Sequence, residues 1–538
     1  MKERVLITDR LDPACADLLT ASGFLADERV ALSDPELREA ARDAVGWIVR
    51  SGTTITKELM DAATALRVIG RAGVGVDNID LEAATRRGVI VINAPEGNTI
   101  STAEHACALI LALARRIPAA HASMSAGAWD RKHFVGRELF GKTLGVVGVG
   151  KVGRAVAERM AVFGMRVIGS DPVVSPEVAK ESGVDLVTFE ELLSEADIVT
   201  LHAPLTDATR GLFGADALSR CREGLLLVNC ARGGLIDEAA LLDALNRGRL
   251  AGVAMDVFAQ EPPAPGFGAL ANHPHVICTP HIAASTAEAQ QKVALQVTEQ
   301  VVRGLRGETV STTVNATAIR LAGRPEVYPF VELAVLLGRI LAKLNGGEPI
   351  TRVTVGGAGE IPRAAREVLS VAALSGVLGE VLDRRVNLVS APVLAADAGL
   401  PVTEDWTSMA DNYQHEVAVS LDTALGVRSI RGALFGRSEA RIVGLDGYDL
   451  ELRPEGVMLF YRNVDRPGML AAVGAIVAEA GVNIGSMALG RRGQGGAALT
   501  VMHLDDLLPA QTLSAIEALD GLTDVCQVEV AVRPKGVI

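Results

Sequence analysis

The sequence predicts an α/β protein in which two parallel β-sheets are followed by an α+β region and a small βαββαβ unit. Short apolar runs alternate with helical patterns over residues 5–95 and again over residues 143–281. Parallel strands need crossover helices that cover the sheet, so this alternation is typical of doubly wound folds. From residue 457 onward the patterns follow the order strand, helix, strand, strand, helix, strand, which is typical of a ferredoxin-like domain.

The predicted strands of both sheets are short apolar runs. Those of the first sheet are residues 5–9, 47–51, 68–73 and 89–95, and those of the second are residues 143–150, 166–172, 197–204, 225–234, 253–258 and 276–281. Between the sheets, residues 98–117 are apolar after a Ser/Thr-rich start, which predicts one long buried helix that connects two domains. Residues 316–452 contain βα-like pieces, and the strand-and-turn pattern of residues 447–456 predicts the boundary of the last unit.

Composition and charge argue against several classes of partner and site. The chain has 538 residues, too many for one hydrophobic core, and its 49% hydrophobic and 22% charged residues are typical of a soluble globular protein. A net charge of −13 with 3% aromatic residues disfavours nucleic-acid and membrane partners, and the N-terminus lacks the apolar core of a signal peptide. The six cysteines are scattered without a CxxC pair, so no metal site is predicted and a cytoplasmic location is expected.

A glycine-rich turn opens the second sheet, with Gly148, Gly150 and Gly153 in the spacing GxGxxG between a strand and a helix. The first glycine permits a tight turn, the second lets the backbone approach a pyrophosphate, and the third packs the helix on the sheet. Lys151 and Val152 lie at the helix N-terminus, whose N–H groups and dipole favour phosphate. Asp171 ends the next strand, where its carboxylate would bind ribose hydroxyls and repel a 2′-phosphate. The motif therefore predicts NAD rather than NADP.

Three ionisable residues follow later strands of the same sheet, namely Arg232, Glu261 and His281. The carboxyl ends of parallel strands line the ligand crevice of an open sheet, so these side chains are expected beside the nicotinamide. Taken singly, each could be a solvated arginine, a loop acid or a structural histidine. Their joint occurrence favours a site in which arginine binds a carboxylate and histidine transfers a proton, with glutamate stabilising the imidazolium.

Six segments of residues 1–315 resemble the D-isomer-specific 2-hydroxyacid dehydrogenases. They are RAGVGVDNID, GVVGVGKVG, LHAPLT, NCARGGLIDE, MDVFAQEPP and TPHIAAST. The resemblance implies two Rossmann-like doubly wound domains, with a substrate-binding domain at residues 1–97 and 283–315 and an NAD-binding domain at residues 98–282. It implies that Arg232, Glu261 and His281 are catalytic, and that backbone near Val74 and Gly75 contacts the substrate carboxylate. The further NAD contacts that it implies are Val74, Thr102, Ala203, Pro204, Cys230, Asp256 and Ala283.

The C-terminal segment FYRNVDRPGMLAAVGAIVAEAGVNI resembles an ACT domain, a βαββαβ ferredoxin-like module that binds amino acids. The resemblance implies that residues 453–538 form an ACT regulatory domain. It also implies an effector site at Asp465, Pro467, Gly468 and Asn483. A strand-to-helix turn offers N–H groups to a carboxylate, and an aspartate can accept from an ammonium group. The other interpretation is a ferredoxin-like domain used only for assembly, because fold alone does not determine function.

Residues 316–452 resemble the α+β intervening domain of long-form members of this family. Those members oxidise 3-phospho-D-glycerate to 3-phosphohydroxypyruvate, the first step of L-serine biosynthesis, and serine is their usual effector. The substrate phosphate requires cationic residues. One candidate is Arg50, with Ser51 beside it. The others are Arg131 and Lys132, which in those members reach the active site of a neighbouring subunit. Arg437, Arg441 and Arg453 are candidates for a further anion site. The family also implies a homotetramer.

Two alternatives remain at this stage. One is another enzyme of the same class, a glyoxylate or hydroxypyruvate reductase. The other is an NAD-sensing, corepressor-like binding protein with the same fold. The ACT-like segment argues against both, and Asp171 argues further against those reductases that accommodate NADP.

Overall fold

The chain forms two compact units in this computed structural model, one of residues Ala94–Gln296 and the other of residues Met1–Asn93 with Val297–Ile538. The structure describes residues 2–263, 267–308, 310–359, 361, 363–408, 412–436 and 438–530, without the side chains of residues 317, 363 and 364. In this part of the chain, no helix is both long enough and apolar enough to cross a lipid bilayer.

The first sheet is parallel throughout, with the strand order β2-β1-β3-β4-β5. Its elements are Arg4–Ile7 (β1), Ala14–Ala21 (α1), Leu25–Glu28 (β2), Asp34–Ala41 (α2), Gly46–Val49 (β3), Lys57–Ala62 (α3), Val68–Arg71 (β4), Leu81–Arg86 (α4) and Ile90–Asn93 (β5). The strand β2 was not predicted. Its sequence LADE lacks the apolar pattern of a central strand, which fits its position at the edge of the sheet.

The unit Ala94–Gln296 is built on a seven-stranded parallel sheet with the order β12-β11-β10-β9-β6-β7-β8. Its elements are Thr99–Arg115 (α5), Ile117–Ser125 (α6), Thr143–Val147 (β6), Lys151–Ala161 (α7), Arg166–Ser170 (β7), Pro176–Glu181 (α8), Asp185–Leu186 (β8), Phe189–Glu195 (α9), Ile198–Leu201 (β9), Ala215–Arg220 (α10), Leu225–Asn229 (β10), Glu238–Asn246 (α11), Leu250–Met255 (β11), Gly268–Ala271 (α12) and Val276–Cys278 (β12), with 3-10 turns at Lys132–Phe134 and Gly233–Leu235. Several predicted strands are too long at their carboxyl ends, because those residues form the loops of the site.

The intervening region contains a six-stranded mixed sheet of order β14-β13-β15-β16-β17-β18, covered by helices. The helix Ala287–Leu305 (α13) precedes this region. The elements of the region are Thr317–Ala322 (α14), Tyr328–Leu344 (α15), Ile350–Gly359 (β13), Arg363–Val381 (α16), Ala391–Asp397 (α17), Val402–Thr407 (β14), His415–Thr423 (β15), Gly426–Phe435 (β16), Glu439–Leu445 (β17) and Tyr448–Leu452 (β18). A Cβ added to Gly338 of α15 would lie 2.2 Å from the Ala373 oxygen of α16, so these two helices pack backbone to backbone. Within the described strands of this sheet only the β13–β14 pair is parallel, whereas the sequence pattern suggested βα units.

The C-terminal unit confirms the βαββαβ prediction. Its elements are Gly456–Val464 (β19), Met469–Glu479 (α18), Ile484–Arg491 (β20), Ala497–Leu504 (β21), Ala510–Glu517 (α19) and Leu522–Val530 (β22), in an antiparallel sheet of order β20-β21-β19-β22. Alternate residues of β19 face opposite sides. Leu459 and Tyr461 pack with α18 and α19, whereas Met458 and Phe460 share a buried core with α15.

Candidate active and cofactor sites

Two of the three glycines in the turn after β6 lie against the protein's own backbone, and the third borders an open space. Gly148 has a φ of +90°, and a Cβ there would lie 2.7 Å from the Ala203 nitrogen. A Cβ on Gly153 would lie 2.1 Å from the Gly148 oxygen. Gly150 is the N-cap of α7, and no atom of the described residues beyond its chain neighbours lies within 4 Å of an added Cβ. Two of the glycines are thus required by packing, while the space above Gly150 fits an approaching pyrophosphate.

Asp171 follows β7 and fixes the same turn. Its carboxylate accepts hydrogen bonds from the N–H groups of Val149 at 2.9 Å, Val173 at 2.8 Å and Val174 at 3.1 Å. A carboxylate offers about four acceptor positions, so one remains for a ribose hydroxyl. The residues present therefore fit the adenosine half of NAD.

The other predicted cofactor residues lie at the carboxyl ends of the strands or on the connecting helix. Ala203 and Pro204 follow β9, Cys230 follows β10, Asp256 follows β11 and Ala283 follows β12, while Thr102 is buried on α5. Lys151 pairs with Glu96, and Val152 is half-buried in the first turn of α7. Val74 belongs to the other unit, where its carbonyl accepts from Asn93 Nδ2 at 2.7 Å.

Arg232 lies in a loop held by a buried asparagine. Asn229 is fully buried, and its Nδ2 donates to the Arg232 carbonyl at 2.9 Å while its Oδ1 accepts from the Ala231 N–H at 3.0 Å. Gly233 allows this loop to lie close to the loop that contains Phe258, because a Cβ at this position would be 1.9 Å from the Phe258 carbonyl carbon. The role of Asn229 was missed by the sequence analysis, although it opens the segment NCARGG.

Glu261 and His281 form the acid–histidine pair that the sequence predicted. Glu261 Oε2 lies 2.6 Å from His281 Nδ1, and Glu261 Oε1 accepts from the Phe258 N–H at 3.0 Å. An ionised carboxylate only accepts hydrogen bonds, so Nδ1 carries the hydrogen and the neutral ring has its basic lone pair on Nε2. The histidine side chain is 47% exposed, which leaves Nε2 accessible to a ligand.

Asp256 is a fully buried carboxylate at the end of β11. Burial raises the pKa of such a group, but hydrogen bonds from His105, Thr279 and the N–H groups of Ile282 and Ala283 outweigh it, and the pKa of Asp256 lies below its ordinary value. The backbone bonds measure 2.9 Å to Ile282 and 2.8 Å to Ala283. Asp256 therefore stays ionised and anchors the loop that follows β12.

In the unit that contains the first sheet, the predicted substrate residues follow the neighbouring strands β3 and β4. Arg50 and Ser51 are in a loop whose backbone is held on two sides. Asp9 Oδ2 accepts from the Arg50 N–H at 2.6 Å, and Asn78 Nδ2 donates to the Arg50 carbonyl at 2.6 Å. Gly75 follows Val74 in the loop after β4. Asp9 and Asn78 were not predicted, because their roles depend on loops that meet only in the folded sheet.

Arg131 and Lys132 are exposed at the 3-10 turn Lys132–Phe134. Three apolar side chains close to them in the sequence are strongly exposed, namely Trp129 at 78%, Val135 at 78% and Phe140 at 79%. Exposed apolar side chains that form a contiguous patch mark interaction surfaces in soluble proteins.

The predicted effector residues of the C-terminal unit have partners within that unit. Asp465 Oδ2 accepts from the Gly495 N–H at 3.2 Å and from Arg491 Nη1 at 3.3 Å, so a cation already faces it. Pro467 precedes Gly468, which has a φ of +93° and caps α18. Asn483 Nδ2 donates to Asp505 at 3.0 Å.

The two described arginines of the suggested second anion site do not form an open cationic pair. Arg441 and Arg453 each pair with Glu439 at 2.6 Å, and Arg437 lies outside the described residues. A carboxylate thus occupies the position that an anion would take between the two described arginines. Among the described residues, no group of three or more His, Cys, Asp or Glu side chains is arranged to hold a metal ion.

Comparisons with known proteins find relatives for three segments of the chain and for nearly its full length. Residues 107–283 match the NAD binding domain of the D-isomer specific 2-hydroxyacid dehydrogenases, residues 326–446 the D-3-phosphoglycerate dehydrogenase intervening domain, and residues 457–521 the ACT domain. A D-3-phosphoglycerate dehydrogenase of Methanocaldococcus jannaschii is 40% identical over 523 residues, covering 97% of this chain and 99% of that protein. The Homo sapiens enzyme of the same name is 41% identical over 490 residues, covering 89% of this chain and 91% of that protein.

A solved structure, that of D-lactate dehydrogenase from Aquifex aeolicus complexed with NAD and lactic acid, is 28% identical with a TM-score of 0.51, over 56% of this chain and 96% of that one. These similarities confirm the predictions of fold class, of an enzyme and of NAD as the cofactor. The chain belongs to the D-3-phosphoglycerate dehydrogenase family of NAD-dependent D-isomer specific 2-hydroxyacid dehydrogenases.

Proposed function

We propose that the chain oxidises 3-phospho-D-glycerate to 3-phosphohydroxypyruvate, the first step of L-serine biosynthesis. The observation that supports this most is the identity of about 40% to D-3-phosphoglycerate dehydrogenases over nearly the full chain. This chain also matches the NAD binding domain, the intervening domain and the ACT domain in turn. The His281–Glu261 pair supplies the acid–base chemistry that such an oxidation needs.

Each catalytic side chain has one role in this proposal. Arg232 binds the substrate carboxylate through its planar guanidinium and polarises the neighbouring C2 group. His281 Nε2 accepts the hydroxyl proton while C2 loses its hydride, and Glu261 stabilises the resulting imidazolium through Nδ1. NAD, when bound, accepts the hydride. In the reverse direction His281 returns the proton to the carbonyl oxygen.

Substrate recognition follows from the phosphate. Arg50 with Ser51 would bind it, the backbone at Val74 and Gly75 would contact the carboxylate, and Arg131 with Lys132 would contribute from a neighbouring subunit. The exposed apolar side chains around Arg131 support a subunit interface there. The assembly proposed is a homotetramer.

L-serine is the effector we propose for the ACT domain, at Asp465, Pro467, Gly468 and Asn483. The Asp465 carboxylate can accept from the ammonium group, and Arg491, which already contacts it, can reach the serine carboxylate. The ACT sheet shares a core with α15 and therefore has a packed route by which to act on the rest of its unit.

Initial rates with NAD and either 3-phospho-D-glycerate, D-glycerate or D-lactate test the proposal. We expect the phosphorylated acid to have the largest kcat/KM. Turnover restricted to the unphosphorylated acids would contradict it in favour of a reductase of the kind found in the glyoxylate reductase structure from Paecilomyes thermophila, 30% identical with a TM-score of 0.54. NAD binding without turnover of any acid would point to a binding protein.

A further inference from the structure

The imidazole of His281 depends on a strained backbone. His281 has a φ of +52°, in the left-handed region that residues other than glycine rarely adopt. Such conformations persist only where surrounding contacts hold them. The contacts of residues 279–283 therefore set the direction in which the imidazole points, together with its own bond to Glu261.

Asp256 holds this loop on both sides of His281. Before the histidine, the Thr279 hydroxyl donates to Asp256 Oδ1 at 2.5 Å. After it, the N–H groups of Ile282 and Ala283 donate to the same carboxylate at 2.9 Å and 2.8 Å. One buried carboxylate thus bridges the two ends of a five-residue segment.

His105 completes this arrangement from α5. Its Nε2 lies 3.2 Å from Thr279 Oγ1 and 3.4 Å from Asp256 Oδ1, and its side chain is 19% exposed. The single hydroxyl hydrogen of Thr279 is used towards Asp256, so Thr279 can only accept from His105. Asp256 also accepts only, because it is ionised. His105 must therefore present an Nε2–H group to both oxygens.

We propose that His105 is a positioning residue for His281. Its Nε2–H orients the Thr279 hydroxyl towards Asp256, and the two residues together fix the loop that presents the catalytic imidazole. His105 itself touches neither the substrate nor the cofactor in this role. The inference rests on the role proposed above for His281.

Two substitutions separate the hydrogen bond from the bulk of the side chain. His105→Gln keeps an N–H donor at similar reach, whereas His105→Leu removes it at similar volume. We expect His105→Leu to lower kcat about 10- to 100-fold, since a misdirected catalytic group costs that much. The KM for 3-phospho-D-glycerate should stay within about twofold, because Arg232 still binds the carboxylate. His105→Gln should restore most of kcat.

A double-mutant cycle identifies the group through which His105 acts. His105→Leu should produce no further loss of kcat in a His281→Ala background. An equal loss in both backgrounds, or a normal kcat for His105→Leu, would overturn the proposal. If His105→Leu fails to fold, His105→Asn replaces it, because its shorter amide cannot reach Thr279.

The single variant His281→Ala tests the proposed function separately. A near-normal kcat for His281→Ala would remove the catalytic role of that histidine. A strong loss for His281→Ala together with a normal kcat for His105→Leu would overturn only the positioning role.

Discussion

The three glycines of the cofactor turn differ in what surrounds each Cα. A Cβ added to Gly148 or Gly153 would lie 2.7 Å or 2.1 Å from the protein's own backbone, whereas a Cβ added to Gly150 would meet no atom of the described residues beyond its chain neighbours. The motif alone does not distinguish these roles, because all three residues have the same chemistry. The contacts show that two of them serve the fold, and we propose that the third serves the ligand.

Substituting the glycines one at a time should therefore separate stability from cofactor affinity. Gly150 has a φ of −70°, which alanine adopts readily, and an added Cβ meets no clash. The unfolding free energy of Gly150→Ala should therefore equal that of the wild type. Its Kd for NAD should rise at least about tenfold, because the Cβ takes the space of the pyrophosphate. Gly153→Ala should instead lose about 1–3 kcal/mol of unfolding free energy, the usual range for overpacking. Thermal unfolding and NAD titration measure both. A destabilised Gly150→Ala with normal NAD affinity would contradict this assignment.

At the scale of elements, the site depends on contacts between the ends of neighbouring strands. Asp256 at the end of β11 binds the loop after β12, and Gly233 after β10 packs against Phe258 after β11. The parallel order β12-β11-β10 makes these loops adjacent, although they are far apart in the chain. A single buried carboxylate can thus hold the histidine loop in place.

Asp256 should make the stability of this unit depend on pH. Its folded pKa lies below the ordinary value, so its stabilising contribution is complete above the ordinary pKa and is lost as the pH falls through the folded pKa. Asp256→Asn should lower the unfolding free energy at pH 7 by about 1–3 kcal/mol, because two N–H donors lose an ionised acceptor. The difference from the wild type should shrink as the pH falls below about 4. Denaturant unfolding of both proteins between pH 7 and pH 3 measures this, and a constant difference would contradict it.

At the scale of the whole molecule, the ACT domain is joined to the intervening domain by a buried charge as well as by the shared core. Asp446 is 6% exposed at its side chain and binds Arg428 of β16 at 2.8 Å and Arg462 of β19 at 2.6 Å. Arg492 of the ACT domain donates to its carbonyl at 2.7 Å. Truncation before residue 453 would expose the apolar face of α15, so deletion of the ACT domain is a poor test of regulation.

Within the same unit, the intervening domain contacts the elements of the first parallel sheet through polar groups. Asn387 Nδ2 donates to the Gly88 carbonyl at 2.8 Å, and Arg384 donates to the Arg86 carbonyl at 2.7 Å. Arg86 also pairs with Asp397 of α17. A change at the ACT domain can therefore reach the loops that we propose to bind the substrate, through packed elements of one unit.

Asp446→Asn should weaken the serine inhibition proposed above while leaving serine binding measurable. The substitution keeps the shape and tolerates the φ of +48°, but it removes the charge that joins Arg428 and Arg462. We expect the inhibition constant to rise about 5-fold or more, within the usual range of coupling energies. Asp524→Asn is the matched control. Asp524 also pairs with Arg462 but is 49% exposed, so its loss should have little effect. Equal effects of the two substitutions would rule out the special role of Asp446.

The sequence by itself determined the local features of this protein. Apolar periodicity predicted most strands of both parallel sheets and the order of the ACT domain, and the residues Gly148, Asp171, Arg232, Glu261 and His281 were identifiable because each follows a strand in a characteristic segment. These features are encoded within a few consecutive residues, so they can be read without knowing the rest of the chain.

The tertiary structure decided which distant residues hold those features in place. Asn229, His105 and Asp446 look ordinary in sequence, and β2 looks like a polar loop. Their roles arise from partners such as Thr279 for His105, 174 positions away, and Arg462 for Asp446, on a different domain. A hydrogen bond or a buried ion pair depends on positions a few ångströms apart in space. Residue type and local spacing do not specify those positions.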